Sequence, residues 1–494
     1  MSREKMSNVD HAWLRMDGDS NLMMIVGVNV FEKRVTLPRM HKLLQERLML
    51  HRRFRQKVES EGNAAYWVTD QVFDMDYHCF EVTLPGGTHG QVGDGELQAY
   101  VGELAMHALN KDRPLWQMIL VQNYKGSTAL VSRVHHCIGD GIALVAVMLS
   151  LTDQADGMSA AAAGVRESEK VEASAGIESN PWVPYLKPLT KGTVKAIEVT
   201  EQALSRSMQT ITTPDLLVEY AGIGSQVIKD IASLAMMPND SPTSLKGKPG
   251  HKKAVAWNEP LPIEEVKLVG KVLGCSINDV LLSCVSGAIR HYLSGRGEQV
   301  DGLEIRAMVP VNLRPLQDAL QLGNKFGLVP LVLPVGIENP LERLLEIKRR
   351  MVELKSGYQA LLAFAILGVV GSLPKMVQDQ VLALFSNKSS AVMTNVPGPA
   401  VPIKMAGETL KRVMVWVPQS GDIGVGVSIL SYAGGVQFGL ITDTVLCPHP
   451  QKIIDGFAPE FERLLLTVMM MPKEVLVTGQ WTPKAVAERI FPAT

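Results

Sequence analysis

Residues 153–180 constrain this chain most, because they break it in two. The segment DQADGMSAAAAGVRESEKVEASAGIESN is rich in Ala, Ser, Glu and Gly and has little apolar periodicity. Such composition predicts a flexible linker or crossover instead of a packed element. Strand-like and helix-like segments alternate on both sides of it. Before it, residues 22–31, 117–123 and 128–134 read as strands, and 38–49 and 96–109 as helices. After it, residues 181–237 carry helical spacing and end in a Pro- and Ser-bearing loop. A second mixed block then starts near Gly250. It has expected helices at 263–273, 278–293, 341–358 and 450–467. Its expected strands are 305–311, 328–334 and 390–395, with a hairpin of 425–430 and 436–442 around Gly434-Gly435. The expected architecture is α/β, with an N-terminal domain over 1–153, a linker and helical crossover over 154–249, and a C-terminal domain over 250–494. At 494 residues the chain is long for a single core. Two α/β blocks of similar size predict an active site at their interface.

Charge and cysteine content narrow the partners. The 49 basic and 50 acidic side chains leave a formal net charge of -1, which argues against nucleic acid as a ligand. The five cysteines lack metal-ligand spacing, so neither a disulfide framework nor a zinc site is expected. The first residues, MSREKMSNVDHAW, show no apolar core of a signal peptide. The longest apolar run, 360–373, is shorter than the roughly 20 residues that span a bilayer. It reads as a core or interfacial helix.

The chemistry concentrates in HHCIGDG, residues 135–141. It follows the strand-like 128–134 and precedes the apolar run 142–148. An imidazole in a partly desolvated corner at a strand end suits a general base near neutral pH. Alternation along the strand places His136 with Leu130, Ser132 and Val134 on one face and His135 on the other. One histidine of the pair is therefore expected to face a cavity. Asp140 is too near in sequence to serve as a relay carboxylate. A structural role in the turn, with Arg314 as partner, is the expectation.

Other segments carry weaker signals. Pro114, Leu115 and Trp116 precede a strand and read as packing. Ser276-Ile277-Asn278-Asp279 opens a helix, where Asp279 suits the helix dipole. Ser276 or Asn278 is expected to cap it, and an exposed Asn278 amide would alternatively donate to an oxyanion. Thr394-Asn395-Val396-Pro397-Gly398-Pro399 reads as a strand end with a rigid turn. Lys246, Lys248, His251, Lys252 and Lys253 form a solvated loop or meet phosphates. No GxGxxG, Walker A, HExxH or GxSxG occurs.

Taken together, NKDRPLW (110–116), HHCIGDG, KKAVAW (252–257), CSINDVLL (275–282), IRAMVPVNLRP (305–315), LGNKFG (322–327), TNVPGP (394–399) and LSYAGGVQFGLITD (430–443) resemble the bacterial wax ester synthase/acyl-CoA:diacylglycerol acyltransferase family. The resemblance covers almost the whole chain. HHxxxDG alone is shared with condensation domains and other CoA-dependent acyltransferases. The resemblance implies two chloramphenicol-acetyltransferase-like domains with a tunnel between them. It implies His136 as the catalytic histidine, His135 as its support and Asp140 with Gly141 as the structural end of the motif. Asn278 and Asp279 match the functional ND pair. The implied reaction moves a long-chain acyl group from acyl-CoA, as co-substrate and with no resident cofactor or metal, to a fatty alcohol or diacylglycerol. The substrates imply a peripheral protein at the cytoplasmic side of a membrane or on lipid droplets. A carrier-dependent condensation-type acyltransferase and a non-catalytic lipid-binding relative are the alternatives.

Overall fold

The computed structural model describes residues 3–87, 89–153, 237–313, 322–355, 363 and 375–471. The expected linker over 154–180, the helical crossover up to 236, Arg314 and almost all of the apolar run 360–373 lie outside them.

The strands in chain order are β1 (Glu4–Lys5), β2 (Met24–Phe31), β3 (Gln56–Glu61), β4 (Ala64–Thr69), β5 (Cys79–Val82), β6 (Trp116–Tyr124), β7 (Ser127–His135) and β8 (Lys253–Trp257). They continue with β9 (Leu261–Pro262), β10 (Ile305–Asn312), β11 (Phe326–Leu333), β12 (Ala391–Pro397), β13 (Lys404–Met405), β14 (Glu408–Trp416), β15 (Val425–Tyr432) and β16 (Gly435–Asp443). Two mixed sheets carry the fold. The first has the order β13-β14-β2-β7-β6-β5 and the second β11-β10-β12-β15-β16-β8. Two-residue Xaa-Gly turns set three hairpins. Lys125-Gly126, Ala406-Gly407 and Ala433-Gly434 all have positive φ at both positions, the geometry that matches strand twist. The last turn lies one residue before the expected Gly434-Gly435.

The sheets do not respect the expected boundary at residue 250. β14, from the C-terminal block, pairs antiparallel with β2, with Trp416 opposite Val26 and Leu410 opposite Phe31. Residues 404–416 therefore complete the N-terminal sheet, a correction to the simple division into 1–153 and 250–494. Their alternating burial is that of any half-buried strand, so periodicity gave no hint of the partner. Trp416 is buried beside Trp257 at 5.8 Å, and its indole lies where a Cβ on Gly439 of β16 would stand. A glycine there lets β14 rest against both sheets. The charged β3–β4 hairpin was also missing from the sequence reading, because QKVESE lacks an apolar face over half its length.

Two apolar cores result. The N-terminal core surrounds β2, β6 and β7, and β7 is buried along its whole length. The C-terminal core centres on the helix Ile277–Ser294, which is buried on nearly every side and packs against the helix Pro450–Met469. Among the described residues no single helix is long and apolar enough to cross a membrane. All five cysteines are buried and unpaired with one another.

Candidate active site

β7 delivers HHCIGDG to the seam between the two halves. His136 lies one residue past the strand end, and its backbone N–H donates to Met23 O at 2.7 Å. Its ring is buried and stacks on Trp13 at 4.2 Å and 12°, with Phe326 of β11 at 5.5 Å. Such aromatic contacts stabilise by roughly 0.5–1.5 kcal/mol each beyond area burial. The Trp13 indole N–H is buried with no acceptor among the described residues.

The Nδ1 atom of His136 stands 2.9 Å from Asn324 Oδ1. Chemistry decides which way that amide points. Asn324 Nδ2 donates to Asp10 Oδ1 at 2.7 Å and to His136 O at 2.8 Å, so both its protons are used on acceptors. The reversed amide would set its oxygen against those two oxygens. Asn324 Oδ1 therefore accepts from His136 Nδ1–H, and the lone pair resides on Nε2. Burial pushes the His136 pKa down to about 4, against the raising effects of a hydrogen bond from the ring to its own backbone carbonyl, of Asp140 and of Asn324. The ring is neutral at physiological pH, with Nε2 able to take a proton.

His135 points elsewhere, as alternation predicts. Its Nδ1 accepts from Cys137 N–H at 3.1 Å, and Nε2 lies 3.2 Å from Asp17 Oδ2. Burial raises the Asp17 carboxyl, but hydrogen bonding and charge at His135 outweigh it and leave the pKa lowered. Asp17 Oδ1 in turn accepts from Met23 N–H, the residue whose carbonyl holds His136. The PLW segment lies under this pair. Pro114, Leu115 and Trp116 are buried, and Leu115 O accepts from His135 N–H. Trp116 donates from its indole to Phe54 O and stacks on His78 at 4.5 Å.

Asp140 acts within the scaffold. Its Oδ1 caps the helix Gly141–Ser150 by accepting from Ala143 N–H at 2.9 Å, and Oδ2 accepts from Lys325 N–H at 2.9 Å. It thereby ties the motif loop to the segment that carries Asn324. Gly323 has φ +110 and sits against Ile138 and Asp10, a turn that side chains resist. A Cβ on Gly141 would meet nothing within 4 Å. The expected Asp140 partner, Arg314, lies outside the described residues.

Asn278 belongs to a second cluster. Ser276 and Asp279 form a reciprocal capping box at the start of Ile277–Ser294. Asn278, in that first turn, is buried, and its Oδ1 accepts from Asn395 Nδ2 at 2.8 Å. The ND and NVPGP segments thus meet, and the contact leaves the Asn278 amide N–H groups pointing away from Asn395. None of the contacts above joins this cluster directly to His136. The cationic stretch is largely spoken for. Lys246 donates to the carbonyls of Ser386, Asn387 and Ser389, and Lys253 is buried between Asn21 and Asp443. Asp10, Trp13 and Asn324 escape sequence reasoning; of the three only Asn324 lies in a family-like segment, LGNKFG, and nothing in that segment ties it to His136. A cavity of about 430 Å³ lined by Gln98, Lys253, His449 and Lys452, among others, includes no residue of either cluster.

Comparison with known proteins identifies the family and the fold. Residues 6–281 match the wax ester synthase/diacylglycerol acyltransferase catalytic domain, and residues 322–465 match the WS/DGAT C-terminal domain. A probable diacylglycerol O-acyltransferase of Mycobacterium tuberculosis is 25% identical over 433 residues, covering 85% of this chain and 86% of its own length. Among solved structures, the wax ester synthase/diacylglycerol acyltransferase from Marinobacter aquaeolei VT8 superposes with a TM-score of 0.61 at 20% identity, covering 94% of this chain and 100% of that one. The trichothecene 15-O-acetyltransferase from Fusarium sporotrichioides gives 0.58 at 12% identity, with 94% and 95% covered. These likenesses confirm the α/β acyltransferase fold. The chain belongs to the wax ester synthase/diacylglycerol acyltransferase family and is an acyltransferase.

Proposed function

We propose that the chain transfers a long-chain acyl group from acyl-CoA to the hydroxyl of a fatty alcohol or a diacylglycerol, with His136 as general base. The observation that carries this reading is the oriented ring: Nδ1–H is committed to Asn324 and Nε2 keeps its lone pair. The acceptor hydroxyl gives its proton to Nε2 as its oxygen attacks the thioester carbonyl. A base with so low a pKa accepts a proton only in concert with attack, so no free alkoxide forms. The tetrahedral oxyanion takes a hydrogen bond from the Asn278 amide, which Asn395 orients. The C–S bond then breaks, and the imidazolium returns its proton to the CoA thiolate. Proton and charge balance without an acyl-enzyme. His135, Asp279 and the PLW segment hold the frame, and Asp140 with Gly141 fixes the motif loop.

The substrates call for a lipid surface, and we place the protein peripherally at the cytoplasmic face of a membrane or on lipid droplets. Leu466, Met469 and Met470 at the end of the helix Pro450–Met469 expose apolar side chains in support. Incubation with palmitoyl-CoA and either hexadecanol or dioleoylglycerol, followed by analysis of the neutral lipids, tests the reaction. Wax ester or triacylglycerol is expected. Product from a carrier-bound thioester alone would favour the condensation-type alternative.

A further inference from the structure

We infer that Asp10 serves the reaction through Asn324: carboxylate, amide and imidazole form a relay in which Asn324 holds His136 in one tautomer and Asp10 supplies charge to the imidazolium that forms during acyl transfer. The inference rests on the reading of His136 as the base. In these roles Asp10 and Asn324 are positioning residues.

The relay joins chain segments far apart in sequence. His136 and Asn324 are separated by 188 positions, and Asp10 and Asn324 by 314. Asp10 Oδ1 accepts twice from Asn324, from the backbone N–H at 3.0 Å and from Nδ2 at 2.7 Å. Asp10 lies in the first turn of the helix Asn8–Arg15, where its backbone N–H donates to Ser7 Oγ and the helix dipole favours a negative charge. Gly323 lets the 322–326 segment reach it, because a Cβ there would stand 3.5 Å from Asp10 Oδ2 on a backbone of φ +110.

The helix dipole favours a carboxylate here, but burial opposes it more strongly. Burial pushes the Asp10 carboxyl up to about 6, against its hydrogen bonds from Asn324 and Ser7 and the charge of Arg53. The buried charge is therefore a cost to folding, and a neutral amide oxygen would accept the same two N–H groups. What an amide lacks is negative charge facing the ring when the ring becomes positive. At rest His136 is neutral and gains little from Asp10. In the transition state it bears a proton, and the polarised amide passes the carboxylate's field to Nδ1. A charge one amide away in a partly desolvated site changes the rate by about 10–100-fold.

Four variants of the full chain test this: Asp10→Asn, Asn324→Ala, the two combined, and His136→Ala. Asp10→Asn is expected to lose about 10–100-fold in kcat while KM for both substrates moves by no more than about twofold, with no loss of thermal stability. A purely structural Asp10 would instead lower the melting midpoint, or leave kcat alone. The double variant is expected to be no slower than Asn324→Ala, because the relay is already broken. In Asn324→Ala, ¹⁵N shifts of the His136 ring are expected to show part of the proton moved to Nε2, the rest being kept on Nδ1 by the residue's own carbonyl, where the wild type shows it on Nδ1. Wild-type kcat in Asp10→Asn with an inactive His136→Ala overturns the relay and leaves the base in place. Full activity of His136→Ala overturns the base and the relay with it. Should Asp10→Asn not fold, the tautomer decides, and a ring still protonated only on Nδ1 in Asn324→Ala refutes the relay.

Discussion

Replacing Asp140 by Asn separates a structural aspartate from a chemical one. The carboxylate accepts two described hydrogen bonds, from Ala143 N–H through Oδ1 and from Lys325 N–H through Oδ2. An asparagine keeps only one acceptor. If its oxygen stays on Ala143, the helix cap survives almost intact, since Asn caps about as well as Asp. The NH₂ group then faces Lys325 N–H, donor against donor. Losing one hydrogen bond to a charged acceptor costs about 1.5–3 kcal/mol. For a domain of this size each kcal/mol lowers the melting midpoint by about 2–4 °C, so a drop of roughly 3–12 °C is expected. Turnover should fall too, because Lys325 neighbours Asn324 and a loosened tie lets the amide leave His136 Nδ1. Thermal unfolding followed by circular dichroism, with turnover measured well below the transition, checks both. An Asp140→Asn enzyme that melts like the wild type yet has lost all turnover would refute the reasoning, because it would place Asp140 in the chemistry itself.

Asn278→Ala is expected to lose about 10²–10³ in kcat with little change in KM, as removal of an oxyanion donor does, and steady-state kinetics at saturating acyl-CoA would show it. Trp116→Ala empties a fully buried site and removes the indole bond to Phe54 O, so denaturant unfolding should show a loss of about 3–5 kcal/mol. The pH profile follows from two shifts. His136 titrates near 4 and Asp10 near 6, so kcat/KM should stay level above pH 7 and fall only below about 6; an acid limb at 6.5 or higher would contradict the burial of the ring. In stability the two groups oppose each other. Lowering the pH from 6.5 to 4 protonates the unfolded histidine but not the folded one, which destabilises, while the folded Asp10 takes up its proton before the unfolded carboxyl does, which stabilises.

Much of this site could be read from residue order, and the reason is locality. Val134 and His135 end one strand and His136 follows it directly, so alternation alone assigned the two rings to different faces. Ser276, Asn278 and Asp279 open a helix, and capping chemistry is decided within one turn. The hairpin near Gly434 announced itself through glycine, while those at Gly126 and Gly407 were not read. What escaped was long-range. Asp10 reads as an ordinary first-turn acid and Trp13 as a core aromatic, and no spacing ties either to His136. Asn324 sits beside a glycine and a lysine in what resembles a polar turn. Its meaning comes from the bridge between Gly139 and Gly323, which only the folded chain makes. The placement of β14 beside β2 is of the same kind. A half-buried strand fits either sheet, and tertiary contacts with Trp257 and Gly439 choose.

The central claim is that His136 Nε2 removes the acceptor's proton. Thiol release from palmitoyl-CoA, followed in purified wild type and in His136→Ala with hexadecanol, with dioleoylglycerol and with neither, tests it most directly. The account predicts acceptor-dependent release in the wild type and a fall of roughly 10²–10⁴-fold or more in a His136→Ala protein whose circular dichroism and melting are unchanged. Release at the wild-type rate from that folded variant would contradict it.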